Sequence, residues 1–358
     1  MNTRRKKRGS AREAKRAKRA TTSARSVPYI TRKVPVYEMA SEELLITIET
    51  NAEILLEEIG IEFKDDQPTL SLFEKAGAKI DGTRVRFPKN MCREIIQASA
   101  PGMYVQHARN SQRSVKIGGD HCVLVPAYGP PFVHDLDKGR RYATLEDFEN
   151  FTKLAYSTPA MHHSGGTLCE PVDIPVNKRH LDMIYSHLRW TDKPFMGSVT
   201  APERAQDSVD MAKLVFGEDF VDKNCVITSL INANSPMTYD ATMLGAARVY
   251  AENNQATVIS PFILSGAMSP VTVVGTCTQI LAEALAGLEP EWMESEDEAD
   301  EPDGESEPES EEEWAPEVES EDGPEAGESH IADESSLQAT DLGEEGDAGA
   351  EDGADDLD

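Results

Sequence analysis

The sequence predicts an α/β fold with a parallel sheet, and three observations point to it. From residue 122 onward, short β-rich segments alternate with amphipathic helices, one pair in about 30 residues, as right-handed parallel crossovers require. Positions 34–288 form a mildly acidic stretch of 22 basic and 32 acidic residues, long enough for an α/β barrel. The flanking segments have compositions that cannot build a core: residues 1–33 hold 13 Lys/Arg against the single acid Glu13, and residues 289–358 hold 32 Asp/Glu with no Lys or Arg. The expected organisation is a basic disordered arm (1–33), a structured domain (34–288) and an acidic disordered tail (289–358). The tail accounts for the formal net charge of −30.

Composition narrows the function classes. The five cysteines, Cys92, Cys122, Cys169, Cys225 and Cys277, are odd in number and contain no CxxC pair, so a disulfide framework is not expected and a reducing cytoplasm is. No apolar run reaches the ~18 residues of a membrane span, and the basic N-terminus has no apolar core of a secretory signal. HExxH, Walker A, GxGxxG and GxSxG patterns are absent, which argues against metalloprotease, nucleotide-binding and serine-hydrolase chemistry. A nucleic-acid partner is not expected, and a homo-oligomer is compatible with the sequence.

In chain order, residues 42–58 predict a helix, because Leu45, Ile48, Ala52, Leu55, Leu56 and Ile59 share one face and Gly60 stops it. Helices over 69–75 and 88–99, with a short strand over 83–87, complete a helical N-terminal section. Phe132–Val133 and Arg141–Tyr142 flank Asp137-Lys138-Gly139, a hairpin turn in which glycine supplies the positive φ. Thr144 then caps a helix with Asp147 three residues on, and Leu145, Phe148, Phe151, Leu154 and Ala155 follow at helical spacing. Strands are expected over 122–127, 162–168, 194–199, 225–231 and 256–264, and helices over 177–189, 202–216, 239–253 and 271–285. Five strands fit either an open parallel sheet or a barrel lacking its last three units, since a closed (β/α) barrel needs eight.

Five ordered motifs carry a resemblance: ILLEEIGIEF (54–63), GPPFVHDLDKGRRYATLEDFENFTKLA (129–155), LRWTDKPFMGS (188–198), NSPMTYD (234–240) and LSGAMSPVTVVGTCTQILAEALAG (264–287). Together they resemble the trimethylamine methyltransferase family, corrinoid-dependent enzymes that include relatives acting on quaternary amines such as glycine betaine. The resemblance implies a TIM-type (β/α) barrel, here incomplete at its C-terminal end, that moves a methyl group from an amine nitrogen to the Co(I) centre of a partner corrinoid protein. No cofactor is expected on this chain itself. In trimethylamine members a pyrrolysine in the later barrel helps to activate the substrate, and many relatives lack it. At Leu288 the resemblance gives way to EPEWMESEDE. The alternatives are therefore an inactive truncated or frameshifted fragment, and an interaction scaffold that uses its charged termini.

Barrel sites lie at the C-terminal ends of strands, and a methylated ammonium calls for aromatic faces and at most a carboxylate. Candidate substrate-binding residues are therefore Tyr128, Glu170, Asn232, Asn234 and Ser235, with Ser198 to Thr200 and Ser265 to Ala267 also at the mouth. Gly129, Pro130 and Pro131 form a candidate rim for partner docking. Trp190 precedes a strand and is expected to pack at the opposite end. No catalytic side chain is assigned, because cobalt supplies the nucleophile. His162, His163, Cys169 and Glu170 have zinc-ligand chemistry, but neighbouring strand residues point to opposite faces, so no metal site is expected.

Overall fold

Ser41 opens the first helix: its Oγ accepts from Leu44 N at 3.3 Å, and Glu42 and Glu43 occupy the positive first turn of α1 (Glu42–Ile54). The computed structural model, which describes residues 27–287, carries this helix through one π-helical turn (Leu55–Ile59) to Gly60 at φ 75°. A Cβ there would lie 2.3 Å from the Val85 carbonyl oxygen, so only glycine permits this approach. Beyond it come β2 (Ile61–Lys64), α2 (Gln67–Lys75), β3 (Lys79–Asp81), β4 (Arg84–Arg86) and α3 (Met91–Ser99). The N-terminal section is thus not purely helical. Alternating burial in β2 sends Ile61 and Phe63 inward, where Phe63 meets Phe73 at 4.9 Å between ring centroids and Tyr239 at 5.7 Å.

Tyr239 comes from β12 (Thr238–Asp240), which pairs parallel with β2, giving a sheet in the order β12-β2-β4-β3. The section is also tied to the rest by Arg248, whose guanidinium forks onto buried Asp66 at 2.5 and 2.8 Å. A second antiparallel sheet, unforeseen in the sequence, joins β1 (Ile30–Thr31), β7 (His121–Cys122), β6 (Val115–Gly118) and β5 (Met103–Gln106) in that order.

The hairpin forms as expected between β8 (Phe132–Asp135) and β9 (Gly139–Tyr142), with Phe132 opposite Tyr142 and Gly139 at φ 66°. Thr144 and Asp147 make a reciprocal capping box at the start of α4 (Leu145–Ser157). Arg141 reaches across from β9 to grip Asp147 at 2.6 and 2.7 Å. That fork, with Thr144, holds the Asp147 carboxyl well below the usual carboxylate range.

The parallel sheet consists of β10 (Phe195–Met196), β11 (Ile227–Ala233) and β13 (Ala256–Pro261), with β11 in the middle and almost continuously buried, as a strand covered on both faces must be. Around it lie α5 (Arg179–Trp190), α6 (Pro202–Phe216), α7 (Glu218–Lys223), α8 (Ala241–Glu252) and α9 (Val273–Ala286). Two expected strands do not form regular ladders. Residues 162–168 run beside β10 through Ser164 N to Pro194 O and Met196 N to Gly165 O, both 2.9 Å, but Gly165 at φ 85° breaks the extended conformation. The strand expected over 122–127 is realised only at Cys122, in β7 (His121–Cys122); residues 124–129 instead lie beside the 162–168 segment, through His162 N to Leu124 O (3.0 Å) and Gly129 N to Thr167 O (2.8 Å), followed by Pro130 and Pro131, which like Pro126 offer no amide donors.

The outcome is a mixed α/β fold whose sheets, among the described residues, do not close into a barrel. No helix among them is long and apolar enough to cross a membrane. Residues 1–26 of the expected basic arm and the whole expected acidic tail lie outside the described residues.

Candidate functional site

The carboxyl ends of three neighbouring segments, 124–128, 162–168 and β10, converge on a cavity of about 160 Å³. Crevices at this end of parallel strands are where α/β proteins bind ligands. The volume falls well under the ~300–1,000 Å³ typical of drug-sized ligands, so it suits a small molecule. Close backbone approach shapes one side. A Cβ on Gly166 would stand 2.7 Å from the Tyr128 hydroxyl, and one on Gly197 would stand 2.1 Å from that of Tyr250, which donates to Ser198 O at 2.6 Å.

The opposite wall is α5, which presents His180, Met183, Ile184 and His187 at helical spacing. His187 Nε2 donates to Gly166 O at 2.9 Å, which fixes the tautomer and leaves Nδ1 as a buried acceptor without a partner among the described residues. Burial pushes this imidazole down to about 4, so it is neutral at physiological pH. His180 Nε2 meets Asp207 Oδ2 at 2.6 Å, and its Nδ1 is likewise buried without a partner among the described residues. At the entrance, Glu170 pairs with Arg179, whose Nε and Nη2 also hold Ile174 O. From α6, Arg204 donates to Thr200 Oγ1 at 2.9 Å.

Of the residues expected at the site, Tyr128 (39 % exposed) and Glu170 meet in this cavity, together with Ser198 and Thr200. Gly129, Pro130 and Pro131 are not among the lining residues; they follow Tyr128 and are stitched to the 162–170 segment by Gly129 N to Thr167 O and by Glu170 N to Pro130 O at 3.3 Å. Glycine is required at 129, where a Cβ would fall 2.0 Å from Leu168 O.

Asn232, Asn234 and Ser235 do not line the cavity. Asn232 sits on β11 on the same face as Thr228 and Leu230. Asn234 Nδ2 donates to Asp240 Oδ2, and Ser235 Oγ to Glu283 Oε2, each at 2.5 Å. Glu283 is fully buried and also accepts from Met237 N and Gln279 Nε2, so the turn after β11 is clamped by structure. Ser265 is similarly committed, donating to Pro270 O and Val271 O. Trp190 lies outside the cavity, with Lys153 Nζ 4.0 Å from its ring centroid.

The four zinc-type residues serve separate tasks. His162 Nδ1 accepts from Leu124 N (2.9 Å), and His163 Nδ1 accepts from Gly165 N (2.9 Å) while its Nε2 donates to Gln106 Oε1. Cys169 is buried, its thiol pushed up to about 12 by that burial. The residues missed from sequence are those contributed by helices: Arg179, His180, Met183, His187 and Arg204. The recurrence His180, Met183, Ile184, His187 was the available signal, since it places two imidazoles on the apolar face of an amphipathic helix.

The family model for Trimethylamine methyltransferase (MTTB) matches residues 5–290. Glycine betaine methyltransferase of Desulfitobacterium hafniense (strain Y51) is 44% identical over 256 residues, which are 71% of this chain and 53% of that protein. L-carnitine:corrinoid methyltransferase of Eubacterium limosum is 22% identical, with 60% of this chain and 51% of that protein covered. The chain spans about half the length of these curated relatives.

Proposed function

This chain belongs to the trimethylamine methyltransferase family, and from that premise we propose that it takes a methyl group from a quaternary amine of the glycine betaine class and passes it to a corrinoid carried by a partner protein. Trimethylamine is the other candidate donor. The observation that carries this reading is the cavity's lining: an aromatic face (Tyr128), two thioethers (Met183 and Met196), two imidazoles (His180 and His187) and a carboxylate already paired with Arg179, with Arg204 contributed by α6 and no thiol among them.

Such a lining suits a bulky cation that has few or no hydrogens to donate. Tyr128 offers its ring face to the methylammonium, and the neutral His187 imidazole adds no opposing charge. The C–N bond breaks with its electron pair on nitrogen, so the positive charge disappears as the methyl group departs. A hard, unpaired carboxylate would therefore stabilise the ground state more than the transition state. Arg179 moderates Glu170 in the direction the chemistry needs. The partner's Co(I) centre, when docked, supplies the nucleophile. The chain's own contribution is to orient the N–CH3 bond toward the entrance and exclude water.

In this reading the segments 124–129 and 162–168 with β10, β11 and β13 are successive positions of a partial (β/α) barrel within a 34–288 unit. Gly129 to Pro131 form the rim against which the corrinoid protein docks. The test is a spectral assay of cobalt methylation in a corrinoid protein reduced to Co(I), with the full chain and glycine betaine or trimethylamine. Methylation that depends on both the chain and an amine supports the reading. No methylation with any methylated amine rejects it.

A further inference from the structure

Arg204 differs from the other arginine that lines the cavity. Arg179 is closed by Glu170 and a backbone carbonyl, whereas Arg204, half-buried in the first turn of α6, has no carboxylate partner among the described residues and spends one donor on Thr200 Oγ1. Outside the cavity, Arg141 and Arg248 are likewise closed by Asp147 and Asp66. A guanidinium carries five N–H donors in a planar fork that matches a carboxylate. One left open in a small concave site is a receptor for an anion the protein does not itself provide.

We propose that Arg204, with Thr200 beside it, receives a carboxylate on the substrate, so that the site selects quaternary amines bearing a carboxylate over those without one. The proposal rests on the amine methyltransferase reading and adds the group that decides substrate class. Arg204, Tyr128, Met183 and His187 all line one cavity of about 160 Å³, and a single ligand in it would set its carboxylate at Arg204 and its methylated nitrogen near the other three. Anchoring the end remote from the reacting carbon fixes the direction of the N–CH3 bond. It also keeps the strongest ionic contact away from the charge that vanishes during transfer. Arg204 acts as a specificity and positioning residue.

The test is calorimetric titration of the full chain with glycine betaine, choline and trimethylamine. Choline retains the trimethylammonium but has a hydroxymethyl in place of the carboxylate. The expected results are glycine betaine binding at least about 10-fold tighter than choline, Arg204→Met weakening glycine betaine on the order of 10- to 100-fold while leaving choline unchanged, and Arg204→Lys restoring part of the loss. Choline binding to the unaltered chain as tightly as glycine betaine would overturn the proposal without any variant having to fold. Undiminished binding of glycine betaine by a folded Arg204→Met would overturn it too. In both cases the methyltransferase reading survives. Failure of the unaltered chain to bind any of the three would overturn both.

Discussion

His163 Nε2 donates to Gln106 Oε1 at 3.1 Å, joining the segment beside β10 to the antiparallel sheet in a fully buried contact. Gln106 is saturated: Nε2 donates to Phe195 O (2.9 Å) and Val226 O (3.2 Å), and Oε1 also accepts from Thr228 Oγ1 (3.0 Å). One amide therefore satisfies polar groups at the entry to two parallel strands. Replacement by an apolar residue of similar size strands several of them, at ~1–3 kcal/mol each. Gln106→Met should lower unfolding free energy by about 3 kcal/mol or more, read from urea denaturation. A loss under about 1 kcal/mol would remove the network from the forces holding the sheet.

The same imidazole and His187 set an acid limit. Burial pushes His163 down to about 3 and His187 to about 4, against about 6.5 in the unfolded chain. Below pH 6.5 the unfolded state binds more protons than the folded one, so stability falls as pH falls, by about 1.4 kcal/mol per pH unit for each histidine, until the folded values are reached. Between pH 7.5 and pH 5 the two together should cost on the order of 4 kcal/mol. Urea midpoints across that range check this, and a flat profile counts against it.

Tyr128 and Ser235 should separate binding from structure. Tyr128→Leu removes an aromatic face from the cavity and should weaken a methylammonium ligand about 5- to 30-fold, with little change in melting temperature. Ser235→Ala removes a bond to buried Glu283 and should lower stability by about 1–2 kcal/mol with affinity retained. Paired titration and thermal melting of the two variants read both effects, and the reverse assignment would relocate the site to the turn after β11.

Lys193 is 5 % exposed, and its ammonium donates to the carbonyls of Ala155, Thr158 and Met161 at 2.7, 3.2 and 2.6 Å. It closes the C-terminal end of α4, where carbonyls lack intrahelical partners. Thr158 O also accepts from Met161 N at 3.1 Å, so Lys193→Met strands the Ala155 and Met161 carbonyls and should cost about 3 kcal/mol, with hydrogen exchange rising first in residues 154–161. Unchanged protection there would show that another group holds that end of the helix.

What could be read in the sequence was local. The Thr144 and Asp147 pair announces its helix because the cap is made within four residues, and Gly139 announces the hairpin because the turn demands its φ. Tyr128 and Glu170 are legible as neighbours because both follow strand-like segments. The His180 and His187 wall is not legible in this way, since helices in such folds are read as packing and it takes the fold to bring α5 against the cavity. Asn234 and Ser235 look like free loop polars until their partners are known: Glu283 lies 48 residues from Ser235. The sheet of β1, β7, β6 and β5 leaves little trace in the sequence because its strands are two to four residues long and carry little alternation.

The pairing of β12 with β2 bears on biosynthesis. A ribosome releases Ile61–Lys64 long before Thr238–Asp240 exists, so during that interval β2 presents an open flank carrying Ile61 and Phe63. Arrival of β12 seals it and brings Tyr239 onto Phe63 in the same event. Nascent chains halted before residue 238 should therefore be the ones that chaperones hold, and those extended past it the ones they release.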